Sequence, residues 1–161
     1  MTDRLAEIER RLKKLEDERD IAQLIASYGP LVDAGDARQA AALWTTDGVY
    51  DVGDWLMNGR DEVAAMICSD AHQGLIARGC CHFFGPPVIT VDGDDAVAVC
   101  ESTLLVRRDT GGYGVARAGV HLLRLRRESD RWRIVSRRAR GLDGTGAGTA
   151  LIAEGLGADL P

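Results

Sequence analysis

The 161-residue chain carries 25 acidic residues against 20 Lys and Arg, a formal net charge of −5, with 45% apolar and 28% charged residues. That balance suits one packed globular domain rather than a disordered chain. The negative charge argues against a nucleic-acid partner, whose phosphates demand a basic face. No apolar run nears the ~20 residues of a membrane span.

Leu5, Ile8, Leu12 and Leu15 fall at heptad spacing among Glu, Arg and Lys, which predicts a charged leading helix over residues 1–16. Two heptads are too short for a free coiled coil, so the stripe is expected to dock on its own domain or on a second copy, giving a dimer or trimer. The N-terminus lacks the apolar stretch of a signal peptide, and Cys68, Cys80, Cys81 and Cys100 show no framework spacing. Reduced thiols and a cytoplasmic location follow as expectations.

Next, Ile21, Leu24, Ile25, Tyr28, Leu31 and Val32 share one helical side. Gly29-Pro30 interrupts them, and the missing proline N–H predicts a kink or break near Tyr28. Gly35 stops that helix, and Asp36 caps a short one reaching Leu43 and Trp44. Val49–Val52 reads as a short strand, and Gly59-Arg60-Asp61 leads into a helix bearing Val63, Met66 and Ile67.

From His82 the pattern becomes extended. Strands are predicted at 88–91, 96–106, 115–126 and 132–140, separated by turns at Asp92-Gly93-Asp94-Asp95, Asp109-Thr110-Gly111-Gly112 and Glu128-Ser129-Asp130. The late arginines, Arg124 to Arg138, alternate with apolar residues and read as the wet face of strands. Helices followed by an antiparallel meander mean an α+β domain over residues 17–142. The Gly/Ala-rich tail, 143–161, is predicted to be mobile or a weak helix. A strongly curved sheet with helices over its concave side encloses an apolar pocket for a small hydrophobic molecule.

His72, His82 and His121 lie far apart in the chain, and no His or Cys pair has ligand spacing, so no metal is expected. His72 is expected to face solvent. Gly141, Gly144, Gly146 and Gly148 follow the last strand instead of leading a strand into a helix, so no phosphate loop and no cofactor are expected.

Several runs carry a family pattern: Tyr28-Gly29-Pro30-Leu31-Val32-Asp33, Leu43-Trp44-Thr45-Thr46-Asp47-Gly48-Val49-Tyr50-Asp51, Gly59-Arg60-Asp61, Cys81-His82-Phe83-Phe84-Gly85 and Asp130-Arg131-Trp132-Arg133-Ile134. Together they resemble the SnoaL-like group of the nuclear-transport-factor-2-like superfamily, over residues 17 to 142. The resemblance implies a cone-shaped α+β fold whose curved mixed sheet and N-terminal helices surround an apolar pocket. Within the superfamily the chain looks most like bile-acid 7α-dehydratase and scytalone dehydratase. Those enzymes place a tyrosine and an aspartate near the end of the first core helix and a histidine at the start of the sheet. The matching positions are Tyr28, Asp33 and His82.

Thr103 and Leu104 stand where the bile-acid enzyme has an aspartate, and Ala118 where scytalone dehydratase has a second histidine. His121, three residues on, is placed by strand alternation on the opposite face. Compared with ketosteroid isomerase, Asp51 matches the base and Tyr28 the oxyanion tyrosine. An arginine near Arg140 contacts an anionic group in the bile-acid enzyme. The resemblance thus implies a lyase or isomerase acting without metal or nucleotide on a hydrophobic hydroxy-carbonyl compound such as a steroid or polyketide. A non-catalytic binding or assembly module of the same fold is the alternative. His82 is the candidate acid/base, Asp33 its orienter and Tyr28 the carbonyl polariser, with Asp51 and Arg140 as possible additions.

Overall fold

The computed structural model describes residues 2–157; Met1 of the leading helix and residues 158–161 of the tail lie outside the described residues. Helix α1 (Thr2–Asp33) opens the chain. Its second half buries Ile21, Ile25, Tyr28 and Val32, one face at helical spacing. In its first half Leu5, Ile8, Leu12 and Leu15 are 51–63% exposed. Asp17, between the halves, accepts a hydrogen bond from Trp132 Nε1 and pairs with Arg127, fastening the helix to the sheet.

The break expected near Tyr28 does not occur, for α1 runs unbroken through Pro30. A proline inside a helix costs about 3 kcal/mol. Burying Tyr28 and Val32 beside it offsets that by about 1.5–3 kcal/mol each. Gly29 lets the helix press on the sheet here, since a Cβ on it would lie 2.1 Å from the backbone oxygen of His82.

Helix α2 (Ala37–Ala41) is capped by Asp36, which accepts from the Gln39 N–H at 3.0 Å. It stops short of the predicted Leu43 and Trp44 because the chain there is claimed by the sheet. Ile134 N–H donates to Leu43 O, and Trp44, fully buried, opens strand β1 (Trp44–Asp51). Strand β2 (Leu56–Asn58), helices α3 (Arg60–Cys68) and α4 (Asp70–Arg78), and strand β3 (Cys80–Phe84) follow. Then come β4 (Val88–Asp92), β5 (Asp95–Arg107), β6 (Tyr113–Glu128), β7 (Arg131–Gly141) and helix α5 (Ala147–Leu156).

The seven strands form one mixed, curved, unclosed sheet in the order β2-β1-β7-β6-β5-β3, with β4 beside β3 on the outer edge of β5. The β1–β7 pairing is parallel and the others are antiparallel. Register shifts within β1–β7, β5–β6 and β6–β7 help the long strands bend.

The two faces of the sheet do different work. On the inner face Ala96, Ala98, Cys100, Leu123 and Leu125 join the main core with α1 and α3. On the outer face Val97, Val99, Val120 and Leu122 pack on Leu151 of α5. The tail predicted as mobile or weakly helical is therefore a seated helix over residues 147–156. Gly155 fits against Val99 and Leu122, and Glu154 pairs with Arg138.

Candidate functional site

The inner face, the end of α1 and the α3–α4 pair enclose a cavity of about 410 Å³. Met57, Met66, Leu75, Phe84 and Leu104 give it apolar walls. Strand alternation places His82 and Phe84 of β3 on this wall and turns Phe83 to solvent.

Asp33, the last residue of α1, grips His82 twice. Its Oδ2 accepts from the His82 backbone N–H at 2.8 Å, and its Oδ1 lies 2.6 Å from Nδ1. A carboxylate beside Nδ1 holds the proton there and leaves Nε2 as a lone-pair base. Nε2 has no hydrogen-bond partner among the described residues, and the ring lines the cavity. Burial holds the imidazole below the usual histidine value, against the opposing pull of Asp33.

Tyr28 lines the same cavity, its ring edge-on to Trp44 and Phe84 at 5.6 Å. Burial pushes its phenol well above the ordinary tyrosine value, so it stays a neutral donor. Tyr28 and Asp33 are five residues apart, about 140° around the helix. They act on one space because the His82 ring stands between Asp33 and the cavity.

His72 is not at the surface as expected; it is 8% exposed, on the first turn of α4. Its ring stacks on His82 at 5.5 Å between centroids, and its Nε2 lies 3.3 Å from Val32 O. Two histidines ten residues apart are joined because α4 folds back over β3. Asp33 Oδ1, Cys80 Sγ and His82 Nδ1 also lie within 4.8 Å of one another, the one donor set among the described residues with metal-type proximity. The Asp33 oxygen there already accepts from both neighbours, and burial together with Asp33 raises the Cys80 thiol to about 11.

A second polar group in the wall overturns two expectations, since Arg137 does not lie on a wet strand face and His121 is not turned away from the cavity. Arg137 is 2% exposed, its guanidinium 4.1 Å from the Tyr28 ring centroid, 4.5 Å from Tyr50 and 5.0 Å from Phe84. Its Nε donates to His121 Nδ1 at 3.2 Å, and His121 Nε2 lies 2.8 Å from Ser102 Oγ. His121 thus faces the cavity, and Ala118 is the residue turned away from it. Alternation holds, but odd residues of β6 point inward. Both faces of β6 are covered, one by the core and one by α5, so apolar content does not distinguish them. The doublet Arg137-Arg138 was the available signal, since two successive strand residues cannot both face water.

Asp51 and Arg140 do not line the main cavity. They hold each other through two 2.8 Å hydrogen bonds, and the Arg140 contact keeps the Asp51 carboxyl below its usual range. Arg140 borders a smaller pocket of about 140 Å³.

The imidazoles of His82 and His121 destabilise the fold in acid. Burial, aided by Arg137 and Arg117, pushes His121 well below the usual histidine value; His82 is lowered too. An unfolded chain protonates these rings near pH 6.5, whereas the folded chain resists until lower pH. The stability is therefore complete above about pH 6.5 and is lost as pH falls from there toward the folded values, by at most about 1.4 kcal/mol per pH unit for each proton. Urea midpoints are expected to drop between about pH 7 and pH 5, and less so in His121→Gln; a flat profile would contradict the neutral rings.

The SnoaL-like domain model matches residues 13–138. Among solved structures, an NTF2-like protein with a cystatin-like fold from Novosphingobium aromaticivorans is 41% identical over 92% of this chain and 96% of its own, with a TM-score of 0.89. A protein of unknown function from Mycobacterium tuberculosis is 22% identical over 89% of each chain, TM-score 0.75. A putative scytalone dehydratase from Novosphingobium aromaticivorans is 18% identical, over 80% of this chain and 85% of its own, TM-score 0.69. These last two share the fold alone. A comparison with curated proteins finds no match. Among the described residues, no helix is long and apolar enough to cross a membrane.

Proposed function

Because the chain belongs to the SnoaL-like domain family, whose fold includes dehydratases and isomerases, we propose that it is a lyase or isomerase working by acid/base chemistry, without metal or nucleotide. Its substrate is a small hydrophobic hydroxy-carbonyl compound of steroid or polyketide type. One observation carries the reading: the 2.6 Å contact between Asp33 and His82 Nδ1, which leaves Nε2 free at the cavity.

In this scheme His82 Nε2 takes the proton α to the carbonyl, and Asp33 stabilises the imidazolium that forms. The Tyr28 hydroxyl donates to the carbonyl oxygen as charge grows there. The imidazolium then returns its proton to the departing hydroxyl, completing a dehydration, or to another carbon, completing an isomerisation. Asp51 and Arg140 have a supporting part, keeping β1 and β7 together below the Tyr50 and Arg137 side of the wall.

The test is a thermal-shift screen of 3-oxo steroids and hydroxy-ketones, followed by absorbance assays for the unsaturated product with wild type and His82→Gln. Stabilising compounds that turn over only with His82 support the reading. Stabilisation without turnover moves it to the second reading, a binding module, which draws on Thr103 and Leu104 standing in the wall without a carboxylate. No shift with any compound sinks both.

The proposal extends to organisation: a leading helix over 1–16, the cone over 17–142 and the tail over 143–161, all placed in the cytoplasm. The exposed Leu5, Ile8, Leu12 and Leu15 would meet another copy of the chain. A monomer by light scattering would remove that part.

A further inference from the structure

Arg137 lies deep in the fold, 2% exposed, and makes no ion pair with any carboxylate among the described residues. Burying a guanidinium without a counterion is costly. The faces of Tyr28, Tyr50, Phe84 and Trp44 within 4.1–5.9 Å, and the Tyr28 hydroxyl beside the guanidinium, offset part of that cost but bring no negative charge. His121 takes the Nε–H, which leaves the Nη edge, the part of the fork that matches a carboxylate with two parallel bonds.

Two further observations point the same way. His121 accepts at Nδ1, so as a neutral ring it carries its proton on Nε2 and donates it to Ser102 Oγ at 2.8 Å. The Ser102 hydroxyl is then left with its own proton to give, at the cavity wall. The cavity lining also holds two arginines, Arg117 and Arg137, and no Asp or Glu among the described residues, for Asp33 stands behind His82.

We propose that this cavity selects ligands carrying a carboxylate, held by the Arg137 Nη edge and the Ser102 hydroxyl, with the apolar body of the ligand against the Met and Leu wall. The inference rests on reading the cavity as the ligand site, but not on the proton chemistry assigned to His82. The substrate class narrows accordingly, from apolar hydroxy-carbonyl compounds in general to those that also bear an acid group.

The experiment uses the full chain and a series of arylalkanoates, from cinnamate to 6-phenylhexanoate, each paired with its uncharged primary amide. Binding is read by calorimetry near neutral pH. At least one acid is expected to bind tenfold or more tightly than its amide. Arg137→Met is expected to abolish the preference for acid over amide, Arg137→Lys to keep part of it, and Ser102→Ala to weaken the acid alone. The preference is read from binding alone, with no turnover required, so failure of the proposed reaction and failure of this inference are told apart. Amides binding as well as acids, no binding by any acid, or an acid preference that survives in Arg137→Met would each overturn the inference. If Arg137→Met does not fold, equal acid preference in wild type and Ser102→Ala, together with its complete retention in Arg137→Lys, overturns it in the same way.

Discussion

Replacing Gly29 with alanine is expected to lower the stability of the fold by about 3 kcal/mol, the upper range for forcing an extra carbon into a packed site. The new methyl would sit 2.1 Å from the His82 carbonyl oxygen. That obstacle is backbone inside a sheet and has no rotamer in which to move aside. Relief requires α1 and β3 to separate, and these are the two elements that bring Asp33 to His82. For a chain of this size the melting temperature should fall by roughly 6–12 °C. Denaturant unfolding checks the figure, and a variant within about 0.5 kcal/mol of wild type would show that the helix can slide without cost.

Asp33→Asn is expected to preserve the fold yet slow the proposed proton transfer at His82 by about 10³-fold, within the range for losing a correctly held general base. The asparagine oxygen can still accept the His82 backbone N–H. Its NH₂ then faces Nδ1, and two donors cannot share that contact. The ring proton moves to Nε2, so the atom at the cavity changes from acceptor to donor. Nitrogen NMR of labelled histidine reads this without any substrate: Nε2 should be the unprotonated nitrogen in wild type and the protonated one in the variant. An unchanged spectrum would mean that Asp33 does not set the tautomer.

The fold was legible because its signals are local. Turn residues at 92–95, 109–112 and 128–130 bracket strands with β-branched cores, and those strands formed with ends shifted by at most two residues. Asp36 capped its helix as its side chain dictates. What escaped depended on distant partners. A break at Pro30 stood beside a kink as an expectation because the weight of Tyr28 and Val32 against the sheet does not show in one segment. Trp44 was read as helix because its pairing with Ile134 spans ninety residues. Of the wall, Tyr28 and His82 were legible through the family pattern, with Asp33 behind His82. His121, Ser102 and Arg137 were not, since a strand buried on both faces hides which parity looks inward.

Helix α5 gives the tail a protective task. Val97, Val99, Val120 and Leu122 make a contiguous oily patch on the outside of the sheet, and Leu151 with its neighbours is what keeps water and other chains from it. Shortening the protein at residue 142, just past the end of the matched family domain, would leave the cavity wall untouched while turning its back into an adhesive surface. Aggregation of such a fragment would then report on the missing cover and say nothing about the chemistry of the cavity.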